Sequence, residues 1–325
     1  MSKLSTHIVR DQRADIQYLR AFAVLSVVIF HFWPNLLPGG FVGVDIFFGI
    51  SGFLITDLMM REAATTGTVR LSNFWARRLR RLLPASLLTI LVSMLITLLI
   101  VPKNLIDQFF SEFLAATFYF ENWRLTLDSV DYLAAENVAS PVQHFWSLGV
   151  EEQFYFAWPI ILVLCLLTGR VLKALNSKLV LIIVLSVLLL GSLWLSIVES
   201  YSGSAASYFE TTTRVWELLL GALVAVTGVS GFASRLKSRQ FLKLAAWAVL
   251  VFTVVGFSAK TVFPGYLAGL PVLATVALIA LGAPQRASKG RRSATTPGEA
   301  KPNRFIGKAL LPAKFIGDIS YSLYL

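Results

Sequence analysis

Arg20 and His31 stand eleven residues apart in the otherwise apolar stretch RAFAVLSVVIFH. Eleven steps of about 100° return to nearly the same helix face, and a rise of about 1.5 Å per residue puts the two about 16 Å apart along the axis. The arginine either holds a phosphate through its forked donors or snorkels as a positive anchor. The histidine, titrating near neutrality, either acts as general base toward a hydroxyl or makes a helix-packing hydrogen bond. Charges in the hydrocarbon region cost about 2.5 to 3.5 kcal/mol on insertion scales, so groups so placed are functional candidates.

Four further groupings share this character. In GVDIFFGISGFLIT, from Gly43 to Thr56, Asp45, Ser51 and Thr56 interrupt an apolar run. Asp45 would orient the histidine, contact an acceptor or lie at the outer interface, while Gly43, Gly49 and Gly52 allow close helix packing. FWARRLRRLLP carries Arg77, Arg78, Arg80 and Arg81 on an amphipathic segment suited to anionic lipid headgroups or to the phosphates of a cytoplasmic cofactor. In HFWSLGVEEQFYFAWP, His144, Ser147, Glu151, Glu152, Gln153 and Tyr155 enter a helix together. His144, Leu148, Glu151 and Tyr155 share a face and Glu152 lies about 100° away. Both carboxylates are therefore not expected in one cavity, and at least one should be paired, protonated or within reach of the outer water layer. Arg214 and Glu217, three apart in RVWELLLGALVA, would neutralise each other in a structural or a catalytic pair.

The elements that hold these groups follow from composition. The chain has 325 residues, 56% hydrophobic and 14% charged, with a mean hydropathy of +0.70, which excludes a soluble domain of this size. Spans of about 20 apolar residues are predicted near 18–37, 43–60, 83–101, 145–167, 179–198, 211–229, 244–259 and 265–283, and a ninth begins near Phe315. The fold class is therefore all-α, a polytopic transmembrane helix bundle. Of the 29 Lys and Arg, 25 fall within 1–20, 61–81, 168–178, 230–243 and 284–314. This pattern places those segments and the N-terminus in the cytoplasm and explains the net charge of +11 without nucleic acid. Asp107, Glu112, Glu121, Asp128, Asp131, Glu136, Glu199 and Glu210 mark the outer side. Parity then requires that 109–120 not cross, so it is predicted to be re-entrant or interfacial. The lone Cys165 argues against redox chemistry and thiolate metal sites, and no metal is assigned. No signal-peptide layout is present, so the first span reads as an uncleaved anchor. The expected organisation is a transmembrane core over 1–283, a basic disordered cytoplasmic linker over 284–314, and the start of a truncated helix over 315–325.

Taken in order, the Arg20-to-His31 spacing, GVDIFFGISGFLIT, FWARRLRRLLP, FWSLGVEEQFYFAWP, RVWELLLGALVA and the closing GDISYSLYL resemble the bacterial acyltransferase-3 family of membrane O-acyltransferases. The resemblance covers nearly the whole chain. It implies a core of about ten spans, of which about eight complete spans and one truncated span are represented here, in the bacterial inner membrane. It also implies transfer of an acyl group, usually acetyl, from cytoplasmic acetyl-CoA to a sugar hydroxyl of an envelope glycan. No cofactor is permanently bound, and acyl-CoA is a donor substrate. On matching positions it nominates His31 as the essential catalytic residue and Arg20 as its partner or an acyl-CoA contact.

Combined with the residue chemistry, this assigns His31, Asp45, Glu151 and Glu152 to catalysis. Arg20, Arg77, Arg78 and Arg81 are assigned to the donor, and His144, Ser147, Tyr155, Arg214 and Glu217 to substrate. His31 and Arg20 are expected to line one polar cavity. In the family the last motif usually continues into a Trp-His-Trp-Pro stretch and another span, whereas this chain stops at Leu325. The chain is either a fragment or a form that has lost about two helices and any appended periplasmic SGNH-type hydrolase-like partner domain. The rival from another class is a proton-coupled transporter or flippase, whose pathway would also be lined by buried Arg, Glu and His. A non-catalytic scaffold would leave the intramembrane polar groups without a purpose.

Overall fold

A computed structural model describes residues 13–130, 138–171, 176–229, 236–282 and 311–325, and the described residues form helices and turns without a strand. In chain order the helices are α1 (Ala14–Phe32), α2 (Gly43–Thr66), α3 (Leu71–Ile100), α4 (Lys103–Thr117), α5 (Glu121–Val130) and α6 (Phe145–Val171). They continue as α7 (Ser177–Tyr201), α8 (Thr211–Thr227), α9 (Arg239–Gly256), α10 (Gly269–Gly282), α11 (Leu311–Asp318) and α12 (Ser320–Tyr324). Every expected span falls on a helix, and α1, α2, α3, α6, α7 and α9 are each long and apolar enough to cross a bilayer. The helices α8 and α10 are shorter, at 17 and 14 residues.

The boundaries depart from expectation for local reasons. The first helix stops at Phe32, not at 37, because Trp33 precedes Pro34 and its backbone is steered out of the helical region. The arginine-rich segment is not separate from the third span, since α3 runs unbroken from Leu71 and carries Arg77 to Arg81 as its own second and third turns. The helix expected near Phe315 begins at Leu311, so the last four residues of the expected linker are helical. The rest of that linker, 284–310, lies outside the described residues, as do Asp131 and Glu136.

At the centre stands α2, packed against α1, α6, α8 and α10. Its contact with α8 is close because each helix offers a glycine to the other's backbone. A Cβ on Gly52 would collide with the Leu218 carbonyl, and one on Gly221 with the Gly49 carbonyl. Hydrogen bonds from Ser51 to Glu151 and from Trp158 to Thr56, each 2.8 Å, set α2 and α6 parallel and in register. Around α2, the apolar core divides between an α2–α6–α7–α8 cluster and an α1–α2–α9–α10 cluster. By contrast, α3 and α7 leave long apolar faces outward, as helices bordering lipid do.

The stretch 109–120 does not form a through-going helix. Helix α4 runs back beside the second half of α3, with Phe109 and Phe113 packed on Ile90 and Met94. The chain reverses at Tyr119, whose φ of 59° is left-handed, and leaves again along α5. Tyr119 meets Ser86, midway along α3, with 3.0 Å between their hydroxyls, so the reversal lies level with the middle of α3. Such irregular backbone needs internal partners. Gln153 supplies them, donating to the Tyr119 carbonyl (3.1 Å) and to Asn122 Oδ1 (2.8 Å) while accepting from Trp123 Nε1 (3.0 Å).

Candidate active site

A cavity of about 410 Å³ opens among α1, α2, α3, α6, α12 and the tip of the re-entrant hairpin. Its α2 wall runs from Val44 to Leu58, a length of about 21 Å at 1.5 Å per residue. The cavity is thus a corridor. Toward the Leu58 end stand Arg77, Arg78 and Arg81 of α3, with Arg20 of α1 also in the wall, and apolar α2 side chains including Ile50, Leu54 and Ile55 line one side. The Val44 end is bounded by Phe47, Phe48, Ser147 and Tyr324. An anion with an apolar extension suits this polarity, because the arginines supply forked donors and the α2 face supplies a dry wall.

Midway along sits a carboxylate with two hydroxyl partners. Glu151 accepts from Ser51 Oγ (2.8 Å) and from the Tyr155 hydroxyl (2.9 Å). Glu152 is turned to Arg78, whose Nε lies 3.5 Å from Glu152 Oε1, and the Arg78 guanidinium carbon lies 3.2 Å from the centre of the Tyr155 ring. Both carboxylates therefore line the one cavity, contrary to the expectation from their 100° separation. Arg78, reaching in from α3, widens the polar arc of α6 so that adjacent residues share it.

The same corridor contains Ser147, Tyr155, Arg20, Arg77, Arg78 and Arg81, but not His31. His31 is the penultimate residue of α1 and exposed, since the helix carries it past the Val44 end; its Nδ1 lies 2.8 Å from the Val27 carbonyl. The expectation that Arg20 and His31 line one cavity is corrected accordingly. Beyond the corridor's end His31 neighbours His144, which burial and the His31 charge push down to about 4. His144 does not line the corridor but lies against its end wall, 5.9 Å between its ring centre and that of Tyr324.

Asp45 is not beside His31 either. It pairs with Arg214 at 3.2 Å, and Arg214 pairs with Glu217 at 3.0 Å, all three fully buried. The rings of Phe48, Trp146, Tyr208 and Phe263 surround the guanidinium with centres 5.5 to 5.6 Å away. This group ties α2 to α8 behind Phe48. None of its three members is in the corridor wall, so the geometry gives Asp45, Arg214 and Glu217 a supporting position and no contact with a ligand there.

Reasoning from residues alone passed over Tyr119, Tyr321 and Tyr324. Tyr321 and Tyr324 are three apart in GDISYSLYL, on one helical face, and that spacing is the signal that could have found them. Tyr119 carried no such signal, because it enters the wall only through the reversal between α4 and α5.

Residues 13–325 match the model of a family described as an acyltransferase domain. The O-acetyltransferase OatA of Staphylococcus aureus strain NCTC 8325 / PS 47 is 35% identical over 322 residues, covering 94% of this chain and 48% of the relative. A Staphylococcus aureus strain COL protein named "Putative O-acetyltransferase SACOL0978" is 41% identical over 207 residues, covering 64% of this chain and 33% of the relative. The chain thus spans about half or less of the length of these relatives. No solved structure matches it.

Proposed function

Because the chain belongs to the acyltransferase family whose domain spans residues 13–325, we propose that it moves an acyl group, acetyl, from cytoplasmic acyl-CoA to a sugar hydroxyl of an envelope or exported glycan. The setting of this reading is the bacterial inner membrane, with the N-terminus and the α3 arginines on the cytoplasmic side. One observation carries it: a corridor in the bundle with arginines at one end and Ser147 and Tyr324 at the other, where His144 lies against the end wall. Donor phosphates would lie on Arg77, Arg78 and Arg81, with Arg20 alongside, and the thioester arm would follow the α2 wall toward Ser147. Arg78 would exchange Glu152 for a phosphate oxygen as the donor docks.

His31 is the proposed base. With its Nδ1–H given to the Val27 carbonyl, Nε2 keeps a lone pair for an acceptor hydroxyl arriving from outside. The hydroxyl proton passes to Nε2, the oxygen bonds the acyl carbon, and the carbon–sulfur bond breaks to release CoA thiolate. Glu151, bonded to two hydroxyls inside the corridor, would hold Ser51 and Tyr155 in place along the thioester path. The corridor accommodates direct transfer and a two-step route through an acyl-enzyme alike.

The test uses the full-length protein in proteoliposomes with acetyl-labelled acetyl-CoA and isolated cell-wall glycan. Label in the glycan that falls at least a hundredfold in His31→Ala is the expected result. Unchanged labelling by His31→Ala would remove His31 from the reaction. The re-entrant hairpin is also a feature of transporters. Uptake of intact donor or glycan without covalent labelling would replace the enzyme reading with transport.

A further inference from the structure

We propose that Tyr324 sets which acyl groups this protein accepts, by closing the corridor just beyond an acetyl-sized end. The inference rests on the acyl-CoA reading given above and adds to it a limit on chain length and the residue that imposes it. Tyr324 bounds the corridor at the end away from the α3 arginines. Its hydroxyl is hydrogen-bonded to Ser147 Oγ and lies 3.3 Å from the His144 carbonyl, which fixes the ring from the α6 side. Phe47 of α2 packs edge-on to the same ring, 6.0 Å between centres, which fixes it from the other side. Held by Ser147, His144 and Phe47, the ring stops straight extension of the acyl chain, and the acceptor hydroxyl would meet the acyl carbon past the ring's edge, from the His144 side.

A donor anchored by its phosphates on the arginines must extend its arm toward this wall. Further methylenes on the acyl group then have no volume to enter. Overfilling a packed apolar end is penalised steeply, and one methylene already discriminates by about tenfold or more. Beyond Tyr324 lie His144 and then His31, so the space released by removing the ring leads toward the exposed end of α1. Tyr324 is therefore a specificity-determining residue that touches the acyl tip without taking part in bond making.

The experiment compares acetyl-, butyryl- and hexanoyl-CoA as donors to the same glycan, with the full-length protein in proteoliposomes. Wild type should prefer acetyl over hexanoyl by about a hundredfold in kcat/KM. Tyr324→Ala should narrow that ratio at least tenfold whatever its absolute rate, Tyr324→Leu should narrow it partly, and Tyr324→Phe, which keeps the ring but loses the hydroxyl contacts that hold it, should narrow it less than Tyr324→Leu. A ratio within a single variant does not move when a variant is merely less stable. If acetyl transfer persists and the ratio is the same in wild type, Tyr324→Ala and Tyr324→Leu, the inference is overturned while the donor reading stands. If wild type itself uses hexanoyl-CoA as well as acetyl-CoA, the wall does not exist, and no variant is needed to say so. If wild type takes acyl groups from none of the three, the donor reading falls and the length limit with it.

Discussion

Arg78 lies across the face of Tyr155, its guanidinium carbon 3.2 Å from the ring centre, with its Nε 3.5 Å from Glu152. A cation stacked and paired in this way is held ready in the corridor and is partly neutralised until a stronger anion arrives. The proposed thioester donor, with several phosphate oxygens, would be such an anion and would compete with Glu152 for the same guanidinium.

Glu152→Gln removes that competitor and one negative charge from the corridor. The apparent KM for acetyl-CoA should fall about three- to tenfold, equivalent to about 1 kcal/mol. Arg78→Gln should raise it at least tenfold, and the difference between the two variants should shrink at high salt. Initial rates against donor concentration at two ionic strengths check this. Equal KM values in wild type and Glu152→Gln would mean that Arg78 does not receive the donor.

The buried Asp45–Arg214–Glu217 group predicts a stability effect far larger than its distance from the corridor suggests. Replacing Arg214 by Met leaves two fully buried carboxyls facing each other without a cation. Breaking a buried pair in this way costs about 3 to 5 kcal/mol. The thermal unfolding midpoint in detergent should drop sharply, whereas substitution of exposed Arg61, paired with Asp57 at the helix surface, should move it little.

A second stability test concerns the α2–α8 contact. Gly52→Val puts a branched side chain into the Leu218 carbonyl and forces the two helices apart. The variant should fail to elute as a single species in detergent. Gly191→Val, where a Cβ meets nothing within 4 Å, should behave as wild type.

How much of this was legible before the structure depends on sequence distance. The spans could be read because each is a local run of apolar residues, and the Arg214–Glu217 pair because three residues bring two side chains to one helix face. Asp45 could not be assigned to Arg214, since the helix packing that joins them depends on Gly52 and Gly221 meeting carbonyls of the opposite helix. The shared cavity for Glu151 and Glu152 was hidden for a similar reason: Arg78 comes from another helix. His31 and Arg20 do lie on one unbroken helix, but periodicity carries no information about where a corridor ends.

The central claim is that an acyl-CoA lies along the corridor from the α3 arginines to Tyr324. A density map of the full-length protein with a non-hydrolysable thioether analogue of acetyl-CoA tests it directly. The account predicts phosphate density against Arg77, Arg78 and Arg81 and the acyl tip beside Ser147 and Tyr324. An analogue bound with its acyl end at the arginines, or anywhere outside the α2–α3–α6 corridor, would contradict it.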